Sequence, residues 1–120
     1  MGIDFEKDRP IYLQLVERIC GELVSGSRKP GDKLPSVREF ALEVGVNTNT
    51  VQNVYKQLEQ MELTETKRGQ GTFITPDSSK ISSMREELKE QLIDRFLNNV
   101  EMMGFTQGEV LQTLKERSER

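Results

Sequence analysis

Histidine is absent from the sequence, and cysteine occurs once. The first absence removes the commonest general base and the commonest transition-metal ligand. Together the two exclude a standard structural zinc site and both Ser-His-Asp and Cys-His catalysis. The single thiol, Cys20, has no partner for an internal disulfide and reads as a small hydrophobe on a helix face. Neither GxxxxGK(S/T) nor GxGxxG is present, so no phosphate-cradling loop is signalled. No apolar run approaches the roughly 18 residues of a membrane span. The N-terminus carries no signal-peptide core, and the expected location is the cytoplasm, with no membrane partner. Basic residues are in deficit: 17 against 20 acids, a net charge of −3. Non-specific affinity for nucleic acid comes from phosphate neutralisation, so a DNA-binding face here has to come from arrangement, with bases on one face and acids elsewhere. Carboxylates remain available to an enzyme, but they are unpaired on solvated helix faces. No enzymatic activity, cofactor or metal is expected.

What is present is enough for one ordinary domain or two very small ones, 120 residues with 34% apolar and 31% charged. Residues 1–9 are polar and read as a frayed end. Pro10 suits the first turn of a helix. Tyr12, Leu15, Val16, Ile19 and Leu23 then mark an apolar helical stripe that stops near Ser25-Gly26. The stretch "SRKPGDKLP" reads as a loop with a Pro30-Gly31 turn. Ser36 and Glu39 form a capping box for a second helix, whose apolar positions are Val37, Phe40, Ala41 and Val44. Gly45 ends it, where a left-handed residue is wanted. Asn47 caps a third helix, whose core positions are Val51, Val54, Tyr55 and Leu58. From Leu63 the composition shifts: "LTETK" and "TFIT" flank "RGQG", the pattern of a β-hairpin. "PDSSK", residues 76–80, reads as a boundary. A long helix from about Ser83 to Met103 follows, then a stop at Gly104, a Thr106–Glu109 capping box and a short last helix.

Two helices joined by a tight glycine turn and followed by a hairpin is the order of a winged helix-turn-helix. In that unit the second helix of the pair enters the major groove with its N-terminal residues foremost. The four uncharged residues Asn47, Thr48, Asn49 and Thr50 fall at that tip. With the core positions turned inward, Asn49, Asn53 and Lys56 lie opposite and Gln52 on the flank. Asn and Gln offer two hydrogen bonds to adenine's major-groove edge, and threonine methyls touch thymine. Lys56 would reach phosphate. Arg38 projects from the preceding helix, while Lys67 and Arg68 lead into the hairpin turn at Gly69. A basic wing tip grips an adjacent backbone or narrow groove. The same polar face also describes an ordinary solvated helix, and Lys67-Arg68 an ordinary solvated turn. Glu59, Glu62 and Glu65 are expected away from the wing tip.

The ordered marks "PIY.Q" at Pro10, "G...PG.KLPS.RE.A" from Gly26, "GV...TV...Y..LE" from Gly45 and "G.GTF" at Gly69 resemble the DNA-binding domain of the GntR family of bacterial transcription regulators. The resemblance covers residues 10–75. The short tail is similar to the YtrA-like branch, in which about two helices serve mainly for dimerisation. The resemblance implies a backbone contact by Arg38, base and phosphate contacts at Asn47, Thr48, Thr50 and Gln52, and a minor-groove approach at Gly69. Several family members carry arginine at the positions of Thr48 and Gln52. Without an arginine to bind guanine bidentately, the expected half-site is richer in A·T.

The tail is expected to clasp a second copy. Leu88, Leu92, Phe96 and Val100 step along one face of the long helix, with Met84, Ile93 and Leu97 beside them. This stripe exceeds what a three-helix core can cover, and apolar patches of that length are unusual on monomers. Folding back on its own domain is the alternative. The expectations are therefore a mainly α fold with a β-hairpin wing, divided into residues 1–76, a winged helix-turn-helix, and 77–120, a short helical dimerisation region. The expected function is a sequence-specific transcription regulator, a repressor acting as a homodimer on a pseudo-palindromic operator in double-stranded DNA. Any effector molecule is unknown. A winged-helix scaffold for protein–protein contact is the alternative, favoured by the negative charge.

Overall fold

The computed structural model describes residues 5–120. Its elements are α1 (Ile11–Ser25), α2 (Val37–Val44), α3 (Thr48–Gln60), β1 (Thr64–Lys67), β2 (Gly71–Ile74), α4 (Ser78–Met102) and α5 (Gln107–Ser118). The fold is mainly helical with one antiparallel hairpin, as expected. The chain divides into two compact units, the first ending at Arg85 and the second spanning Glu86–Arg120. Among the described residues, no helix is long and apolar enough to cross a membrane.

In the first unit, α1, α2 and α3 pour their apolar stripes into one core. Leu15, Ile19, Phe40, Val51, Val54 and Leu58 are almost wholly buried there. Leu63 and Ile74 from the hairpin close it, and Met84 from the start of α4 adds to it. Local signals set the helix ends. Pro10 stands one place earlier than expected, as the N-cap of α1 rather than in its first turn. The Ser36–Glu39 capping box is formed in both directions, at 3.1 and 3.0 Å. Gly26 and Gly45 hold left-handed conformations, φ 85° and 76°, that close α1 and α2.

Three expectations need adjusting. Part of the N-terminal stretch is tied down: the Gln14 amide receives the Glu6 N–H and donates to the Glu6 and Arg9 carbonyls, and Arg9 pairs with Glu6 and Glu17. Residues 1–4 of the expected frayed end lie outside the described residues. Next, α4 starts at Ser78 rather than near Ser83. The Asp77 carboxylate accepts from the Ser79 N–H and hydroxyl, at 2.9 and 2.6 Å, and so supplies a start signal that apolar periodicity does not register.

The third adjustment concerns the loop before α2. Residues 31–34 form an added edge on the hairpin. Lys33 pairs antiparallel with Phe73, the Ile74 N–H donates to the Asp32 carbonyl at 2.7 Å, and the Leu34 N–H donates to the Thr72 carbonyl at 2.8 Å. The wing is thereby fastened to the entrance of the helix-turn-helix. In the second unit, the Thr106–Glu109 capping box is formed, and Gly104 at φ 93° ends α4. Phe96, Val100, Phe105, Val110 and Leu114 line an apolar groove of about 420 Å³ between α4 and α5.

Candidate nucleic-acid interface

The tip of α3 resolves why four uncharged polar residues precede its apolar pattern. Asn47 is the N-cap, and its side-chain oxygen accepts from the Thr50 N–H at 2.8 Å and from the Thr50 hydroxyl at 3.1 Å. Capping thus consumes two of the four residues, and Thr50 is half-buried with its hydroxyl hydrogen committed. Thr48 and Asn49 have no hydrogen bond from their side chains among the described residues, and both are exposed. Gln52, Asn53 and Lys56 are also exposed, on the face away from the buried Val51, Val54, Tyr55 and Leu58. Side chains with open donors and acceptors on a fixed helix are what base-edge recognition needs.

The roll of α3 is set from the inside. The Tyr55 hydroxyl donates to the Pro35 carbonyl at 2.6 Å, and its ring packs on Phe40 with centroids 5.9 Å apart. Burial pushes the phenol up to about 12, so it remains a donor at any physiological pH. This bond spans twenty residues and ties the third turn of α3 to the loop ahead of α2. Turning α3 about its axis would break it.

The wing is a hairpin in the register Thr64–Ile74, Glu65–Phe73, Thr66–Thr72 and Lys67–Gly71. Its turn is closed by the Gln70 N–H to the Lys67 carbonyl at 2.9 Å, with Gly69 at φ 77° in third position, the value a type II turn requires there. Thr64 and Ile74 face the core, which puts Glu65, Lys67 and Phe73 on the outward face. Glu65 therefore stands on the same outward face as Lys67, not away from it. Arg38, at the second position of α2, and Arg68, at the wing turn, are exposed and have no ion-pair partner among the described residues. One cleft of about 380 Å³ is lined jointly by Ser36 and Val37 from the α2 entrance, Tyr55 from α3, and Gln70 and Gly71 from the wing. The start of α2, the middle of α3 and the wing turn therefore border one surface.

Two residues at this surface, Lys33 and Phe73, were not among the expected contacts. Lys33 lies on the wing's added edge, and its ammonium stands 6.0 Å from the Phe73 ring centroid; that of Lys67 stands 4.7 Å away. No periodicity marks a loop residue that joins a sheet edge, so the only available signal was a lysine beside a turn.

The charge deficit has a location. Residues 1–85 hold twelve acids and twelve bases, whereas residues 86–120 hold eight acids and five bases. The whole net charge of −3 thus belongs to the second unit, and the winged unit is neutral. Within the winged unit several acids are occupied. Glu39 accepts from the Ser36 N–H, which with the Ser36 hydroxyl holds its carboxyl below the ordinary range, and Glu62 pairs with Lys80 at 3.7 Å. This partition removes the support that the overall charge lent to a scaffold.

Of the four tail residues, Leu92 and Phe96 are 47% and 43% exposed, while Leu88 and Val100 are half-buried. Phe96 and Val100 line the α4–α5 groove.

Comparison with known proteins agrees with this architecture. Residues 11–74 match the model of the gntR family of bacterial regulatory proteins. The chain is 38% identical over 119 residues to the HTH-type transcriptional regulator YhcF of Bacillus subtilis, covering 99% of this chain and 98% of that one. It is 40% identical over 106 residues to the HTH-type transcriptional repressor YtrA of the same organism, covering 83% and 82%. Among solved structures, a GntR family transcriptional regulator from Listeria monocytogenes superposes with a TM-score of 0.82 at 35% identity, covering 93% of this chain and 98% of that one. The DNA-binding domain of AraR in complex with operator ORE1 gives 0.54 at 28% identity, covering 62% and 89%. With the helix-turn-helix, the fastened wing and the matched residues all in place, the chain belongs to the gntR family of bacterial regulatory proteins and is a DNA-binding transcription regulator of the winged helix-turn-helix class.

Proposed function

We propose that the chain is a homodimeric repressor that reads a pseudo-palindromic operator. The observation that carries this reading is the outward face of α3, where Thr48, Asn49, Gln52, Asn53 and Lys56 are exposed and form no side-chain hydrogen bond among the described residues. Residues 1–76 form the DNA-binding part and 77–120 the dimerising part. In the major groove, Asn49, Gln52 and Asn53 offer paired donors and acceptors to base edges, and the Thr48 methyl offers an apolar contact to thymine. Asn47 and Thr50 hold each other and so fix the helix tip, leaving the Asn47 amide hydrogens available to the DNA. Arg38 and Lys56 neutralise phosphates at the groove edge. Lys67, Arg68 and Gly69 carry the wing to the neighbouring backbone or minor groove. The half-site favours A·T, because no arginine stands at position 48 or 52.

The dimer follows from the tail. Leu92 and Phe96 are close to half exposed and, with Leu88 and Val100, form a stripe that a second copy would cover. Linking two weak half-site contacts makes the second an intramolecular event, so affinity rises without any new contact to DNA. Repression follows sterically when such an operator overlaps a promoter. The name of the relative YtrA supports that sign of regulation.

Selection of bound duplexes from a random-sequence pool, paired with sedimentation of the free protein, tests the whole reading. The expected result is a dimer in solution and inverted repeats with A·T-rich half-sites. A monomer that selects single half-sites would overturn the dimeric reading. Half-sites centred on G·C and contacted from Thr48 or Gln52 would overturn the base preference.

A further inference from the structure

The segment ahead of α2 brings a cation to the wing that the helix-turn-helix itself does not supply. Lys33 is bridged to Phe73, and Phe73 is opposite Glu65, so these three stand in one cross-strand row on the outward face; Gly71 and Lys67 form the next row. The Lys33 stem runs through the second row. A Cβ placed on Gly71 would lie 2.9 Å from Lys33 Cε, closer than carbon atoms pack. Gly71, whose φ of 119° already favours glycine, leaves open the space in which the flexible end of Lys33 lies.

Both ammonium groups stand over one ring, Lys67 at 4.7 Å and Lys33 at 6.0 Å from the Phe73 centroid, so the two nitrogens lie within about 11 Å of each other. Duplex DNA carries one phosphate per about 3.4 Å of axis on each strand, so two cations within this bound can reach neighbouring phosphates of one strand. Neither lysine has an ion-pair partner among the described residues. Glu65 shares the row but pairs with neither; the Glu39 carboxylate is hydrogen-bonded by the Ser36 N–H and lies near enough to Lys33 to feel its charge, without forming an ion pair. Two cations gathered at one ring, neither closed into an ion pair, make sense where an anion arrives from outside. The negative face of the ring supports them meanwhile.

We propose that Lys33 is a DNA-backbone contact delivered by the wing, and that Phe73 is the positioning residue that presents Lys33 and Lys67 to neighbouring phosphates. The proposal rests on the DNA-binding reading of this face. It adds a contact outside the recognition helix and the wing turn, and it assigns the outward ring of β2 a task other than packing.

The test uses the full chain and a mixed-sequence duplex of about 30 base pairs, because phosphate contacts are independent of sequence. Binding is followed by fluorescence anisotropy over a salt series, and each variant is first matched to wild type by thermal melting. Lys33→Gln is expected to lower the log–log salt slope by about 0.9 and to weaken binding about five- to tenfold at 0.1 M salt. Lys33→Arg is expected to restore both. Phe73→Leu is expected to weaken binding with both lysines still present, and Phe73→Tyr, which keeps the ring face, to rescue it. If Lys33→Gln keeps the wild-type slope while Arg38→Gln and Lys67→Gln reduce it, Lys33 is no contact and the proposal falls, although the DNA-binding face stands. If Phe73→Leu binds as wild type does, the positioning role falls. A wild-type protein whose duplex binding is insensitive to salt would instead sink the reading of the face itself.

Discussion

Glu62 is the one non-glycine described residue with a positive φ, 62°. It occupies the residue after the C-cap of α3, where the Leu63 N–H donates to the Leu58 carbonyl and the Glu62 N–H to the Glu59 carbonyl. The end of α4 repeats the same pair of bonds, Phe105 to Val100 and Gly104 to Glu101, but there the left-handed residue is glycine. One chain thus contains the same termination motif with and without a Cβ. Replacing Glu62 by glycine should relieve a left-handed cost of roughly 1–2 kcal/mol. Against this stands the extra backbone entropy that glycine loses on folding, roughly 0.5–1 kcal/mol. The lost ion pair to Lys80, long at 3.7 Å and open to water, offsets only a few tenths of a kcal/mol more. The net expectation is a gain of about 0.5 kcal/mol, which raises Tm by about 2–4 °C in a domain of this size. Glu62→Ala loses the same ion pair and keeps the Cβ, so it should fall below wild type and about 1 kcal/mol below Glu62→Gly. Urea unfolding followed by far-ultraviolet circular dichroism reads both differences, at one fixed protein concentration because dimerisation makes apparent stability concentration-dependent. An alanine variant at least as stable as the glycine variant would refute the reasoning, since strain at φ 62° would then not be what separates them.

Two further expectations follow from the caps. Asn47→Ala removes the acceptor for both Thr50 donors and should cost about 1 kcal/mol of stability; because it loosens the helix tip, it should also weaken selected-operator binding more than mixed-sequence binding, which parallel titrations would show. Glu39 has its folded pKa below the ordinary value of 4.5, mainly through the Ser36 N–H, so the stability it contributes is present above that value and is lost as pH falls through the folded pKa. Glu39→Gln should therefore be less stable than wild type at pH 6 and converge with it as the pH is lowered below 4.5, as urea midpoints would report.

Much of the fold was legible because the signals that set it are local. The Ser36–Glu39 and Thr106–Glu109 boxes, the glycines at 26, 45 and 104, and the period of Val51, Val54, Tyr55 and Leu58 each act within a turn or two of chain. The exposed face of α3 then followed from geometry, because burying one stripe of a helix leaves the rest outside. The surplus of acids in residues 86–120 is likewise plain in the order of the residues. What the chain order did not announce depends on partners far apart in sequence. The Tyr55 hydroxyl finds the Pro35 carbonyl twenty residues back and fixes how α3 is rolled. Lys33 meets Phe73 forty residues on, which turns a loop into a sheet edge and brings a cation to the wing. Asp77, read as part of a boundary, starts a helix through two hydrogen bonds that leave no apolar period. Composition and local pattern determined which elements form and which face each one buries; only tertiary packing decided which loop joins the hairpin and how the reading helix is turned, because hydrogen bonds and ring contacts between distant residues have no sequence period to betray them.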